Sequence, residues 1–431
     1  MAMTIGIENL YTRYSESGIV STDTRKITPG SVFFALKGDQ FNANEFADEA
    51  LQKGASYVVI DEEKFKKNDR HILVTNVLQT LQQLARYHRD RLKIPVIAFT
   101  GSNGKTTTKE LANAALSKKF KTYATKGNLN NHIGVPLTIL AIDQSVEIAI
   151  VEMGANHLGE IDLLCDIANP THGLITNIGK AHIGTFGGFE NIIRGKSELY
   201  KHLLAHKGIV FINSLNPILV NAAKLFVNPI FFPGKDDYYH TELISADPLV
   251  RIKADNGEEI QTQLTGGYNF ENIASALCMG KYFGVDPQLA NQAVAEYVPG
   301  NMRSQIMQKG TNTIILDAYN ANPSSMQAAI ENLAAMSAAN KALILGDMFE
   351  LGEEADKEHQ AIGRLIKEKN IKNIYLCGAL FKAALKEIPY AKYFVKKEEL
   401  ISELKQYPVS NATVLVKASR GIGLETIVEF L

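Results

Sequence analysis

The segment IPVIAFTGSNGKTTTKELANAAL, residues 94–116, constrains this chain more than any other. An apolar, strand-like run leads straight into a glycine-rich turn, and the turn opens a helical pattern. Backbone N–H groups freed at Gly101 and Gly104, together with the positive end of the helix, can surround phosphate oxygens, with Ser102, Asn103 and Thr107 in the same turn. Lys105 would add charge at the β and γ phosphates of a nucleotide, and Thr106 would offer its hydroxyl to Mg²⁺. Such a turn needs a strand end facing a helix start, which a parallel α/β sheet supplies. Ser102 and Asn103 alone separate the two glycines, whereas the common P-loop has four residues there. The bland alternative is a turn whose serine caps the helix and whose lysine is solvated.

Around that segment the chain divides. At roughly 150 residues per domain, 431 residues suggest three units. Residues 1–92 read as a small α/β N-terminal domain, with strand-like SVFFAL (31–36) and SYVVI (56–60). A helix closes it, VLQTLQQLARYHRDRL, whose Leu78, Leu81, Leu84 and Ala85 recur at helical spacing. Residues 93–299 read as a central P-loop ATPase domain. Its short apolar runs IPVIAF, EIAIVEMG, HGLITNIG and GIVFINS alternate with helical patterns, the signature of a parallel sheet covered on both faces. The polar stretch from Pro233 to Leu264 predicts added antiparallel strands, and GGYNFENIASALCMGKYFG a helix. After Pro299 and Gly300 the pattern restarts with TIILDAY, KALILGD, KNIYLCG and TVLVKAS, so residues 300–431 read as a Rossmann-like C-terminal domain.

With 45% apolar and 21% charged residues and a net charge of -1, the composition lacks the Lys and Arg excess of a nucleic-acid surface. No nucleic-acid partner is expected. The N-terminal MAMTIGIENLYTRY has no basic start followed by an apolar stretch, and no run approaches the ~18 apolar residues of a membrane helix. A cytoplasmic location, no membrane partner and a monomer are the expectations. Cys165, Cys278 and Cys377 lie far apart and are expected to be small buried apolar residues.

The loop TGSNGKTTTKE resembles the ATP loop of the Mur ligases, which attach amino acids to the peptidoglycan precursor, and of their relative folylpolyglutamate synthase. Further segments carry the resemblance through the whole chain: STDTR (21–25), GNLNNHIGVPLT (127–138), VEMGANHLGEI (151–161), AHIGTFGG (181–188), YNANPSSM (319–326), LGDMFELG (345–352) and VKASRGIGLE (416–425). Together they look like the branch of the Mur ligases that joins D-alanyl-D-alanine to UDP-N-acetylmuramoyl-tripeptide. Folylpolyglutamate synthase would lack STDTR, and the ligase that adds the third amino acid would show an Asp-Asn-Pro-Arg type motif in the last domain, which is absent. One departure stands out: Ala418 follows Lys417 where the family more often has Gly.

The resemblance implies an ATP-dependent ligase that activates a carboxylate as an acyl phosphate, with ATP and two Mg²⁺ as cofactors. Glu152, at the end of an apolar strand, would bind the Mg²⁺ that bridges the ATP phosphates, next to Thr106. His182 resembles the ligand of a second Mg²⁺, although a lone histidine is more often structural. Lys196, in RGKSELY, matches a lysine that CO₂ carbamylates and that then helps position the second metal; otherwise it is a surface lysine on a helix. Lys105, Glu152, His182 and Lys196 are thus the expected catalytic set. Asn269 and Asn272 resemble residues that meet adenine, or else cap a helix. Arg303 would approach the γ-phosphate and Asp317 the ribose. Asp23 and Arg25 are candidates for uracil and diphosphate in a UDP-sugar-binding first domain, and Asn130, Asn131 and His132 for the muramoyl peptide. Asn320, Asn322, Lys417 and Arg420 would steer the dipeptide or the closing of the third domain.

Two rivals remain at this level. One is another Mur-type ligase with a different amine donor. The other is a P-loop regulatory NTPase, against which stand the lack of an NKxD guanine signature and the presence of His182 and Lys196.

Overall fold

The computed structural model describes residues 5–300 and 302–431, so the first four residues of the N-terminal segment and Asn301 lie outside it. Its centre is a six-stranded sheet, all parallel, in the order 230–232, 209–213, 172–175, 96–100, 148–152, 122–124. Alternation along the two middle strands splits the core in two. Val96, Ala98, Ala149 and Val151 face the helices Val77–Arg89, Gly134–Leu140, Glu160–Ala168 and Phe189–Ala205. Ile97, Phe99, Ile148 and Ile150 face Lys105–Leu116, Asn269–Tyr282 and Pro287–Glu296. Every one of those eight strand residues is essentially without solvent contact, as a sheet with two helical covers requires. After strand Val96–Thr100 the chain crosses to one side of the sheet, and strand His172–Ile175 returns on the other. The glycine-rich turn therefore lies at the switch point, where a crevice opens beyond the carboxyl ends of the strands.

The N-terminal part carries a four-stranded parallel sheet, 20–21, 32–34, 57–60 and 71–73, with a hairpin of 37–38 and 41–42 at its side. Its closing helix, Val77–Arg89, is capped by Asn76, whose side chain accepts from the Gln79 N–H. Leu81, Leu84 and Ala85 of this helix belong to the same apolar cluster as Val135 and Ile139 of the central part. Polar groups reinforce that seam: the buried Arg89 guanidinium donates to the carbonyls of Ala168, Leu92 and Asn169, and Tyr14 Oη donates to Leu140 O at 2.6 Å.

Residues 242–245, 251–253 and 259–261 form the antiparallel sheet expected in the polar stretch. The last part is a six-stranded sheet in the order 305–309, 312–317, 413–417, 341–346, 373–377, 392–394, parallel except for its first strand. The four apolar runs read from the sequence are its four inner strands. The two edge strands, Gln305–Lys309 and Lys392–Phe394, were not expected; edge strands are half solvated and carry polar residues, so they lack an apolar run. The same holds for Thr122–Ala124 at one edge of the central sheet, whereas Ile230–Phe232 at the other edge is apolar but only three residues long. All three cysteines are buried and unpaired. Among the described residues no helix is long and apolar enough to cross a membrane.

Candidate active site

The glycine-rich turn is shaped by close approach on both sides. Gly101 has φ +140°, and a Cβ there would stand 2.1 Å from Thr176 Oγ1; Gly104 has φ +79°, and a Cβ there would stand 2.4 Å from Asn272 Oδ1. Any other residue would have to hold an unfavourable backbone and displace a neighbour. The turn is also stapled to the segment that follows strand His172–Ile175. Ser102 N–H donates to Asn177 O (3.0 Å), Asn103 N–H to Asn177 Oδ1 (2.9 Å), and Thr176 Oγ1 and Asn177 Nδ2 donate to Asn103 O. Lys105 folds back onto the carbonyls of Gly101 (2.6 Å) and Ser102 (3.2 Å). Desolvation in the crevice floor pushes its ammonium down to about 8, against the pull of Glu152 and with the repulsion of Arg303.

Glu152 ends its strand and is 2% exposed. Oε1 accepts from Asn130 Nδ2 at 2.8 Å, while Oε2 is buried without a hydrogen-bond partner. The nearest cation is the ammonium of the buried Lys109, 3.9 Å from Oε2 and already donating to Thr125 O. A buried carboxylate oxygen left over in this way, in a cleft that Thr106 also lines, suits a divalent cation. Among the described residues no three His, Cys, Asp or Glu side chains gather closely enough to hold a metal by themselves, so phosphate oxygens would have to complete the shell.

These groups line one cavity of about 800 Å³. Of the candidate residues, Ser102 to Thr107, Asn130, Asn131, His132, Glu152, His182, Asn269, Asn272, Arg303, Asp317, Asn320, Asn322 and Lys417 all reach it. Gly101, in the same turn, does not line the cavity; its carbonyl accepts from Lys105. Lys196 is not a surface lysine. It is 1% exposed, its amine donates to Ala155 O at 3.0 Å with the Phe186 ring 5.2 Å away, and burial together with the nearby Lys105 drives it far below the usual lysine range. Arg420 is exposed at the rim, its guanidinium 5.3 Å from the Tyr319 ring. Asp23 and Arg25 are not brought to the cleft. They pair with each other on the N-terminal part, where the guanidinium holds the carboxyl down at about 2.

Several local roles refine the expectations. Asn269 and Asn272 do not cap their helix; they form a buried chain in which Asn269 Nδ2 donates to Thr265 O, Asn272 Nδ2 to Asn269 Oδ1, and Thr108 Oγ1 to Asn272 Oδ1. Asn131 Oδ1 accepts from the N–H groups of Ile133 and Gly134, so it also starts helix Gly134–Leu140. Asp317 accepts from Ser304 N–H and from Lys417 Nζ at 2.5 Å, so a sugar hydroxyl there would share the carboxylate with a buried lysine. Arg303 stacks 3.8 Å over Tyr319. The tight packing expected of a glycine at position 418 comes from the neighbouring strand instead: a Cβ on Gly346 would stand 2.8 Å from the Ala418 Cβ.

The last part of the chain closes directly over the turn. Asn322 accepts from Ser325 N–H to cap its own helix, and its Nδ2 donates to Asn103 Oδ1 at 2.8 Å. Lys180 N–H donates to Ser324 Oγ, Lys180 Nζ pairs with Glu358 at 2.6 Å, and His182 pairs with Glu350. Asn177, Lys109, Ser304, Tyr319 and Glu350 are the residues that sequence reasoning left out. All but Ser304 fall within segments already singled out, yet nothing in a one-dimensional pattern says which residue of a motif turns inward.

Comparison with known proteins agrees with this geometry. Residues 17–95 match the Mur ligase family catalytic domain, 99–280 the Mur ligase middle domain and 302–420 the Mur ligase glutamate ligase domain. The UDP-N-acetylmuramoyl-tripeptide--D-alanyl-D-alanine ligase of Bacillus subtilis is 35% identical over 423 residues, 96% of this chain and 92% of that protein. Among solved structures, MurF from Acinetobacter baumannii superposes with a TM-score of 0.85 at 30% identity, covering 95% of this chain and 92% of that one. MurF ligase from Thermotoga maritima in complex with ADP gives 0.83 at 28%, covering 96% of each. On this agreement of sequence, fold and cleft, the chain belongs to the Mur ligase family.

Proposed function

We propose that this chain is an ATP-dependent ligase that joins D-alanyl-D-alanine to UDP-N-acetylmuramoyl-tripeptide in peptidoglycan precursor synthesis. Full-length kinship with ligases of that name supports the substrates. The observation that carries the mechanism is the cleft itself. A phosphate-binding turn and a buried carboxylate oxygen without a hydrogen-bond partner stand on one side, and Arg303 and the helix-capping Asn322 of the last part face them from the other. A carboxylate does not react with an amine at neutral pH, because its oxygen is a poor leaving group. Transfer of the γ-phosphoryl group to the tripeptide carboxylate gives an acyl phosphate and ADP; the dipeptide amine then attacks and inorganic phosphate leaves.

In this reading the turn's N–H groups and Lys105 hold the phosphates, and Arg303 leaves its Tyr319 stack to meet the γ-phosphate. Asn269 and Asn272 form a preset polar edge for adenine, and Asp317 receives the ribose. Thr106 and Glu152 would hold one Mg²⁺, and His182 with Lys196 a second; such ions supply neutralisation of charge on the transferring group. Lys196 suits carbamylation because burial shifts its amine toward the neutral form, the form that adds to CO₂, with Ala155 O as its resting partner. Residues 1–92 would bind the nucleotide sugar through Asp23 and Arg25, residues 93–299 the ATP and tripeptide, and 300–431 the dipeptide, with Asn320, Asn322, Lys417 and Arg420 at the closing face. Closure excludes water from an acyl phosphate that would otherwise hydrolyse. Three unpaired thiols fit the cytoplasm, and a cleft whose two sides come from one chain fits a monomer.

The decisive assay is phosphate release with UDP-N-acetylmuramoyl-tripeptide and D-alanyl-D-alanine, each omitted in turn. Release that needs both supports the proposal, and release driven by meso-diaminopimelate, L-lysine or glutamate overturns it. For the carbamate, a Lys196→Ala enzyme rescued by short carboxylic acids supports the role, and an unimpaired one refutes it.

A further inference from the structure

His182 and Glu350 meet across the closing cleft from opposite parts of the chain, and both hold a backbone that non-glycine residues rarely adopt, φ +58° and +63°. Two left-handed residues in one contact cost on the order of 1–2 kcal/mol each; strain of that kind persists where the surroundings enforce it, commonly at functional sites. Here they do enforce it. Gly184, two residues after His182, donates to Glu350 O at 3.2 Å, and a Cβ on Gly184 would stand 2.7 Å from Gly352 N. The backbone of 350–352 is thus pressed onto the turn that carries the imidazole. Glu350 Oε2 lies against His182 Nδ1 as an ion-pair contact, and that buried nitrogen has no aligned hydrogen bond, to Glu350 or to any other group among the described residues. With Nδ1 facing a carboxylate, Nε2 is the ring nitrogen left for the cavity that His182 lines.

We infer that Glu350 is a positioning residue: its carboxylate holds the Nδ1–H tautomer of His182 and so presents the Nε2 lone pair to the second metal ion. The inference rests on the proposed role of His182 as a ligand of that metal. A carboxylate behind a metal-binding imidazole fixes both tautomer and ring orientation, and loss of such a partner lowers metal affinity about 10- to 100-fold. Since Glu350 arrives from the part of the chain that closes over the cleft, the second metal site is completed only when the cleft is shut. An exposed ion pair with no such duty would contribute ~0–1 kcal/mol to closure and nothing to the ring.

The test uses the full-length enzyme with β,γ-imido-ATP, Mn²⁺ binding followed by electron paramagnetic resonance, and ¹⁵N-histidine NMR for the tautomer. Glu350→Ala is expected to weaken the second Mn²⁺ about 10- to 100-fold, to leave the first unchanged, and to shift His182 toward a mixture of tautomers. Glu350→Gln, which keeps an acceptor oxygen, should restore most of both. Lys180→Ala removes another closing contact, the pair with Glu358, without touching the imidazole. If it weakens the second Mn²⁺ as much as Glu350→Ala does, closure alone explains the effect and the inference fails. It fails equally if Glu350→Ala changes neither affinity nor tautomer while His182→Ala abolishes the second site. His182→Ala without effect on Mn²⁺ overturns the metal reading and the inference with it.

Discussion

Replacing Gly104 by alanine tests the turn at the point where geometry leaves least freedom. Two costs add. The first is backbone: φ is +79°, and an L-residue in that region loses about 1–2 kcal/mol. The second is steric, because the new Cβ would meet Asn272 Oδ1 at 2.4 Å, with the nearest three atoms all belonging to that one amide. Asn272 must swing away, giving up its bonds from Thr108 Oγ1 (2.9 Å) and to Asn269 Oδ1 (2.8 Å), at about 1 kcal/mol each. The sum is about 3–4 kcal/mol against the phosphate-binding conformation, which weakens nucleotide binding roughly 150- to 900-fold if only that conformation binds. Calorimetric titration of β,γ-imido-ATP into Gly104→Ala measures it directly. In an Asn272→Ala background the steric part vanishes, so the same substitution should cost only the ~1–2 kcal/mol of backbone strain. An affinity loss under threefold, or a penalty unchanged by Asn272→Ala, would refute the reasoning.

Three further outcomes follow from the cleft. Burial pushes the Lys105 ammonium down to about 8, and bound phosphates raise that value, so binding at pH 8.5 takes up protons and affinity falls with rising pH above about 8; calorimetry in buffers of different ionisation enthalpy would count the uptake, and a count of zero contradicts the burial argument. Glu152→Gln keeps an oxygen for Asn130 but removes the buried negative charge, so phosphoryl transfer should slow on the order of 10²-fold, while Lys109 keeps its bond to Thr125 O and its pair with Glu110 and the melting temperature changes little; wild-type turnover would exclude Glu152 from the metal site. Asn322→Ala deletes the 2.8 Å bond to Asn103, worth about 0.5–1.5 kcal/mol or roughly two- to tenfold in the closing equilibrium, which fluorescence energy transfer between the central and last parts should register.

What could be read in advance divides along physical lines. The inner strands and the turn are local: an apolar run such as IPVIAF buries itself on both faces, and the spacing of Gly101 and Gly104 dictates a loop that cradles anions. The edge strands Thr122–Ala124 and Lys392–Phe394 were invisible, since a strand with one solvated side needs no apolar run. The roles of Asp23 and Arg25 rested on resemblance, and their pairing with each other away from the main cleft is a fact of the fold alone. Lys196 illustrates the limit most sharply. As letters, RGKSELY is an ordinary helix surface; in three dimensions its amine is buried beside Phe186 and Ala155, and burial drives it far below the usual lysine range.

By itself, then, the sequence determined the parallel sheet, the phosphate-binding turn and kinship with the Mur ligases, because these are carried by short-range pattern and by motifs that survive as letters. Only the tertiary structure decided that Asn322 reaches Asn103, that Glu350 meets His182 and that one oxygen of Glu152 is left without a partner. Those facts depend on which residues, 20 to more than 200 positions apart, are brought within hydrogen-bonding distance, and a linear pattern holds no information on that until the core has packed.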